Sequence, residues 1–482
     1  MSSFPKYKRD EFVFVSNLQK VTADPNNPIT GRRESYLLSE HYTNNSLLEL
    51  ADWARKSRNL MMSDNGNFTR MKVVAKVFET RAELLITQAK EEVKATGKIS
   101  LATAESRRVL MDDIKIACWA AVKDSDYSNI IETQLKMRPH YMIGHEDLTI
   151  PVMMMSGLML PMFSPTADEV TEFQDKTASL YHRQCEGDFG FKKEQEDILK
   201  FLVLHAYDYK SALAGSQKLN DIPPQGIAIS YGGPMRSRRY ISELDMGNEK
   251  VKLPEKLPEP YLISQAITLG AMNGLEKTIP IHILGVGSPI LIVLIASLLR
   301  HSPAISIDST SPFKDAYAGT LYGSKYAYMK MDMYKIAAYA LINNKPYKSR
   351  TPFYRAFEEE FPSNWERLRS ELAVTSSMSV KSLVKTLKSN PDLIEREIPF
   401  FAKMRSGNDR LINQLRMARS GHNYWILRNI CINVRLRKSD PDALMKWVNY
   451  QIDRYSKIGS PKWVKAVQVS FDVMERFRKQ NS

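Results

Sequence analysis

Residues 279–308 read IPIHILGVGSPILIVLIASLLRHSPAISID, and this stretch decides the fold. Two short runs rich in β-branched residues, IPIHIL and AISID, flank the longer apolar segment SPILIVLIASLLR, with glycines at one joint and a Ser-Pro pair at the other. A strand, a helix and a second strand in that order form one βα unit of a parallel sheet. The same grammar recurs upstream in RNLMMS (58–63), PHYMIG (139–144), KFLVLHAY (200–207) and GIAISYGG (226–233), separated by helical segments such as VTEFQDKTASLYHRQ (170–184). Beyond residue 330 strand-like runs become scarce, and segments such as SVKSLVKTLK (379–388) and DALMKWVNYQIDRYSK (442–457) follow a helical period. The expected architecture is an α/β fold: a TIM-like (β/α)8 barrel over residues 1–330, followed by a mainly helical basic domain over residues 331–482.

The chain length agrees with more than one lobe, because 482 residues exceed the roughly 250 at which single hydrophobic cores stop growing. An apolar fraction of 43% with 25% charged residues excludes a disordered or membrane class. The opening MSSFPKYKRDEF has basic residues but no apolar run after them, which argues against a secretory leader. The longest apolar runs, VMMMSGLML and PILIVLIASLL, are shorter than the roughly 18–20 residues a spanning helix needs. Cys118, Cys185 and Cys431 are too dispersed for a CxxC-type zinc site or a disulfide framework, so a reducing, cytoplasmic setting is expected. No repeat or low-complexity tract stands out, and the Pro-rich NEKVKLPEKLPEP (248–260) reads as a surface loop within the barrel.

Charge is unevenly placed. From residue 331 onward 28 basic side chains face 15 acidic ones, a net +13 out of the chain's +14. The tract RLINQLRMARSGHNYWILRNICINVRLRK (410–438) mixes Arg416, Arg419, Arg428, Arg435, Arg437 and Lys438 with Trp425 and amides. Basic residues interleaved with aromatics attract a phosphate backbone through counterion release and stacking. A solvated helical face would give the same composition.

In a (β/α) barrel, carboxylates at the C-terminal ends of strands face the active site. Asp308 ends AISID, and Asp64 ends the RNLMMS strand just before Asn65, Gly66 and Asn67. On spacing alone, each also fits a helix N-cap or turn former.

The segments around these carboxylates resemble those of the tRNA-guanine transglycosylases and their DNA-modifying relatives, which exchange guanine for a 7-deazaguanine base. That family's nucleophile segment, Asp-Cys-Val-x-Pro-Thr-Arg-x-x-Arg-x-Gly, is similar to the run from Asp308 through Pro312 and Lys314 to Gly319. Upstream, HILGVGSP (282–289), with Gly285 and Gly287, resembles Leu-Met-Gly-Val-Gly-x-Pro, and the run from Ser63 to Phe68 resembles Thr-Asp-Ser-Gly-Gly-Phe. HEDLT (145–149) is similar to the acidic segment that reads the incoming base, with Glu146 at the recognition position beside Asp147. Tyr231, Gly232 and Gly233 resemble the Gly-Gly-Leu strand end, and His205 takes the place of Gln-Gly. Taken without the resemblance, Glu146 and Asp147 also fit caps of the next helix, Gly232 and Gly233 a tight turn, and His282 a satisfied core histidine.

The resemblance implies a base-exchange transglycosylase with Asp308 as nucleophile and Asp64 as general acid and base. Asn65, Gly66, Phe68, Glu146, Asp147, His205, Tyr231, Gly232, Gly233, Gly285 and Gly287 would surround the bases. Lys314, Arg236, Arg238 and Arg239 would hold phosphates near the barrel mouth. The family's tRNA enzymes carry a zinc-binding Cys-x-Cys-x-x-Cys and a later His, whereas after residue 323 this chain has only Cys431 and His422. No zinc or other cofactor is therefore expected, and DNA is favoured over tRNA, with a free 7-deazaguanine such as preQ0 as second substrate and no membrane partner. The alternatives are a zinc-less tRNA-guanine ribosyltransferase and a non-catalytic nucleic-acid-binding subunit of the same fold.

Overall fold

Eight parallel strands close into a barrel in the computed structural model, which describes residues 11–17, 35–56, 60–159, 161–163, 166–205, 224–230, 243–245, 250–252, 278–323, 330–345, 365–390, 410–459 and 461–480. They are β1 (Glu11–Asn17), β2 (Ser35–Ser39), β3 (Leu60–Asp64), β4 (Tyr141–Ile143), β5 (Leu199–Leu204), β6 (Gly226–Ser230), β7 (Ile281–Leu284) and β8 (Ala304–Asp308). Each pairs with the next, and β8 closes onto β1 with Val15 level with Asp308. The expected barrel is present, and EFVFVSN and SYLLS supply the two strands that the reading of apolar runs passed over.

The pleat decides which residues face the lumen, because successive side chains of a strand point to opposite sides. Val15, Leu37, Met62, Tyr141, Ile143, Leu199, Phe201, Val203 and Ala228, from alternate positions of β1 to β6, pack into one cluster that fills the barrel. The other parity, Phe12, Phe14, Ile281, Ile283, Ile305 and Ile307, packs outward against helices.

The helical layer is uneven. One helix, α1 (Asn45–Lys56), links β2 to β3, whereas α2 (Asn67–Thr96), α3 (Leu101–Ala121) and α4 (Asp124–Lys136) all lie between β3 and β4. With α5 (Thr149–Ser156) and α6 (Ala167–Glu186), the α2–α4 insertion builds a core of its own around Phe78, Leu110, Ile114 and Met153. Within residues 248–260, Lys250–Lys252 pairs antiparallel with Glu243–Asp245, and the rest of that loop lies outside the described residues.

Between β7 and β8 runs α7 (Pro289–Leu298), every residue of which is buried. A helix that is apolar all round must be covered all round. Here the barrel covers one side, and α12 (Arg410–Arg435), α13 (Pro441–Ile458) and α14 (Pro461–Gln480) cover the other. In chain order α8 (Ser311–Tyr317), α9 (Met333–Ile342), α10 (Trp365–Glu371) and α11 (Val380–Ser389) come between. The last three form a small satellite core around Leu341, Leu368 and Leu383. No helix of the described residues is long and apolar enough to cross a membrane.

The boundary expected at residue 330 marks where strand–helix alternation ends, not where one core ends and another begins. Strand residues Phe14, Ile281 and Ile305 share a single hydrophobic cluster with Tyr424, Leu427, Ile430, Leu444 and Val467 of the last three helices. Asn423 pins α12 to the segment after Asp308: its amide donates to Pro312 O at 3.1 Å and Thr320 O at 3.0 Å, and its carbonyl accepts from Tyr322 N at 2.8 Å.

Candidate functional site

At five strand ends the residue that shares the parity of the lumen-filling set is polar, Asn17, Ser39, Asp64, His205 and Asp308, whereas β4 and β7 end on Ile143 and Leu284. Apolar layers thus support a ring of hydrogen-bonding groups at the mouth, where (β/α) barrels place their chemistry.

Asp308 is buried at the end of β8. Its Oδ1 accepts the Gly285 N–H at 3.0 Å and lies 3.4 Å from His282 Nε2. His282 is buried, as expected of a core histidine, but it is also the neighbour of this carboxylate, with its Nδ1 2.8 Å from Ser306 Oγ. The turn Gly285-Val286-Gly287 needs both glycines for different reasons. Gly285 takes a φ of +86°, and a side chain on Gly287 would place its Cβ 2.4 Å from Ser311 Cβ and 2.6 Å from Ser309 Oγ. The first aims an N–H at Asp308, and the second lets β7 lie against the start of α8.

Asp64 sits at the end of β3, level with Ser39. Burial pushes its carboxyl up to about 6, a hydrogen bond with Ser39 opposes the rise, and the charges of Asp308 and Glu146 add to it. Three carboxyl groups from β3, β8 and the segment after β4 therefore act on one another at the mouth. Gly66, with φ +71°, donates its N–H to Asp64 Oδ2 at 3.3 Å and begins α2. A Cβ there would meet His41 Cβ at 2.9 Å and the Arg70–Glu40 ion pair at 3.0 Å.

Glu146 is brought to the mouth, but its oxygens are engaged. Oε2 is paired with His205 Nε2, and Oε1 accepts from Asn67 Nδ2 at 3.4 Å. Within this group His205 Nδ1 and Asn67 Oδ1 are buried and have no hydrogen-bond partner among the described residues. Glu146, expected at the base-recognition position, is thus paired with His205. A further buried group is Tyr424 on α12. Its hydroxyl has no partner among the described residues, and burial, then the Asp308 charge, push its pKa up.

Other expected site residues have different duties. Asn65 joins the strand ends, donating to Gly144 O at 2.6 Å and accepting from Asn67 N at 3.0 Å. Asp147 leaves the mouth: its Oδ1 accepts the Thr149 N–H at 2.9 Å as a turn at the start of α5, and it lines a cleft with Lys115, Glu172 and Lys176. Burial pushes its carboxyl up. Phe68 is exposed on the first turn of α2, with Lys72 Nζ 4.3 Å from its ring centre. Lys314 is exposed on α8. Tyr231, Gly232, Gly233, Arg236, Arg238 and Arg239 lie outside the described residues.

The basic tract needs the largest correction. Arg416, Arg419 and Lys438 are buried, and a buried cation offers no surface to a phosphate backbone. Arg416 packs over the Tyr317 ring at 5.1 Å, and Lys438 donates to Ser302 O. Arg428 donates to Ser16 Oγ on β1 at 3.2 Å, and burial lowers its pKa to about 9. Trp425 packs against the shared core, and Arg437 stacks on Trp447 at 5.8 Å. Of the seven residues named in this tract, Arg435 alone is exposed. Arg428 and Lys438 tie the α12 region to the barrel.

No protein-family model matches the chain, and no match to a curated protein is found. The local segments therefore carry the resemblance by themselves. Among the described residues no group of three or more His, Cys, Asp or Glu is placed to hold a metal ion, and the three cysteines are free thiols.

Proposed function

We propose that this chain is a base-exchange transglycosylase that replaces guanine in a nucleic acid, DNA in preference to tRNA, by a 7-deazaguanine such as preQ0. One observation carries the reading: two strand-end carboxyls share the barrel mouth in unlike environments, Asp308 facing the Gly285 N–H and the His282 imidazole, and Asp64 buried with its pKa lifted to about 6. Carboxyls in such different settings suit separate covalent and proton-transfer roles.

In the first half of the exchange an Asp308 oxygen attacks C1′, the bond from C1′ to the guanine nitrogen breaks, and Asp64 gives its proton to the departing base. In the second half Asp64 takes the proton of the incoming base, whose nitrogen attacks C1′ and releases the Asp308 ester. The oxocarbenium-like charge that develops at the sugar is stabilised by the carboxylate beneath it. His205 Nδ1 and Asn67 Oδ1 are the free polar atoms that meet the edge of the base, with Glu146 holding the imidazole. The target nucleotide is first extruded from its stack at a cost of a few kcal/mol. No step needs a metal, and a reducing cytoplasm, a host's if the protein is viral, is the expected setting.

The test is incubation of the pure protein with duplex DNA or tRNA and preQ0, then digestion to nucleosides and mass analysis. Wild type should insert the base, in chelator as well as without it, and give a protein–nucleic-acid adduct that survives denaturation. Asp308→Ala should lose both. Normal exchange by that variant would remove the nucleophile assignment, and product on tRNA alone would make RNA the substrate.

A further inference from the structure

Among the described residues twelve large apolar side chains are exposed, and eight of them belong to the α2–α3 hairpin. Scattered exposed apolar residues are ordinary, whereas a concentration on one element marks a surface that something covers. The inner seam of the hairpin already has its core, through Val74, Phe78, Ala82 and Leu85 on α2 and Leu110, Ile114 and Cys118 on α3. The outward faces carry a second seam. At 3.6 residues per turn, Val73, Val77 and Leu84 fall on one stripe of α2, and Val109, Ile116 and Trp119 on one stripe of α3, with exposures from 44% to 70%.

The two stripes lie side by side. Arg81 pairs with Asp113 at 2.7 Å and Gln88 with Thr103 at 2.8 Å, so the helices run antiparallel with Val77 about level with Ile116, Val73 with Trp119, and Leu84 with Val109. The result is one apolar face with an exposed ion pair near its middle.

We propose that a second copy of this chain covers the face, the two hairpins meeting about a two-fold axis near Arg81 and Asp113. Charge complementarity selects this occupant. A two-fold contact must be self-complementary, and the ion pair at its centre is: each Arg81 can meet the other copy's Asp113. The ends match as well. At the Val73–Trp119 end the outward charge is Lys123, whose ammonium lies 6.0 Å from the Trp119 ring. At the opposite end the outward charge is Glu91, which is exposed, since Glu105 is held by Arg108 at 2.5 Å. Trp119 lies about 9 Å along α3 from Asp113, with Lys123 just past the end of that helix, and Glu91 about 15 Å along α2 from Arg81, at 1.5 Å per residue. A two-fold rotation therefore lays each Lys123 towards Glu91 of the other copy and each Val73–Val77–Ile116–Trp119 group on Leu84 and Val109.

The experiment is sedimentation velocity of the full chain over a concentration series. A species of twice the 55.2 kDa chain mass is expected. Val77→Glu with Ile116→Glu should give monomer with unchanged helical circular dichroism. Lys123→Glu should weaken the dimer by about tenfold or more, and adding Glu91→Lys should restore it, which no misfolded variant would do. Arg81→Cys should form a disulfide-linked dimer on mild oxidation, because a residue near the axis meets its own copy. A monomer at the highest soluble concentration overturns the proposal, whatever else proves to bind this face. So does a dimer that survives the double Glu substitution, since it would use another surface.

Discussion

Asp64 carries a stability cost that asparagine would not. Its unfolded carboxyl loses the proton near pH 4, and the folded one near 6, because burial and then the charges of Asp308 and Glu146 disfavour ionisation more than Ser39 and Gly66 favour it. Between those values the folded state holds more protons than the unfolded state, so stability falls as pH rises. Below about pH 4 the penalty is absent, and above about pH 6 it is present in full. A difference of about two pH units corresponds to roughly 1–3 kcal/mol, the lower figure allowing for solvent access at the mouth. Asp64→Asn should therefore be more stable than wild type at pH 8 by about that amount and equal to it near pH 4, by urea denaturation at the two pH values. Its turnover should fall roughly 100- to 10,000-fold, since the amide carries no proton. Equal stability at both pH values would mean that Asp64 ionises freely. The two aspartates were legible because a carboxylate that ends an apolar strand and runs straight into turn residues can be seen in one short window. The pairing of Glu146 with His205 was not, since it is made by neighbouring strand ends whose sequence separation is filled by α5 and α6.

The strand–turn–helix element around Gly287 transmits small changes to Asp308. A methyl on Gly287 would stand 2.4 Å from Ser311 Cβ, in the turn that directly follows Asp308. One side must yield, at a typical overpacking cost of about 1–3 kcal/mol. Gly287→Ala should lower the melting temperature and sharply reduce exchange. Gly285→Ala meets open space but keeps a positive φ, so its cost should be only about 1–2 kcal/mol of backbone strain. If Gly287→Ala retains full turnover, the Asp308 position is insensitive to this contact. The same scale explains the misread basic tract. Composition counts Arg416, Arg419, Arg428 and Lys438 as charge, whereas only the packing of α12 on β1, α7 and α8 shows that they point into protein. A helix with core residues on several faces, among them Tyr424, Ile426, Leu427 and Ile430, has no single solvated side for its cations to mark.

At the scale of the whole molecule, the change of sequence grammar at residue 330 suggested two domains, yet the hydrophobic cluster runs unbroken from β1, β7 and β8 through α7 into α12, α13 and α14. The apolar run PILIVLIASLL already held the information: a helix buried on every side needs a cover, and the barrel covers only one side. Which later helices supply it is a long-range choice that no local window contains. Removing α12–α14 would expose Ile290, Leu291, Val293, Leu294 and Ile295 along with the outer face of β1. At about 1.5–3 kcal/mol for each large apolar side chain, that loss matches or exceeds the 5–15 kcal/mol by which a folded chain is stable. The full chain should therefore unfold with barrel and last helices in one transition, the same midpoint appearing by calorimetry, far-ultraviolet circular dichroism and tryptophan fluorescence. Leu427→Ala, a truncation at a wholly buried position of α12, should cost about 2–5 kcal/mol and move that shared midpoint as a unit. A chain ending before residue 410 should be insoluble or molten. Two separated transitions, with Leu427→Ala shifting only one of them, would restore the boundary at residue 330 and make the C-terminal helices a domain in their own right.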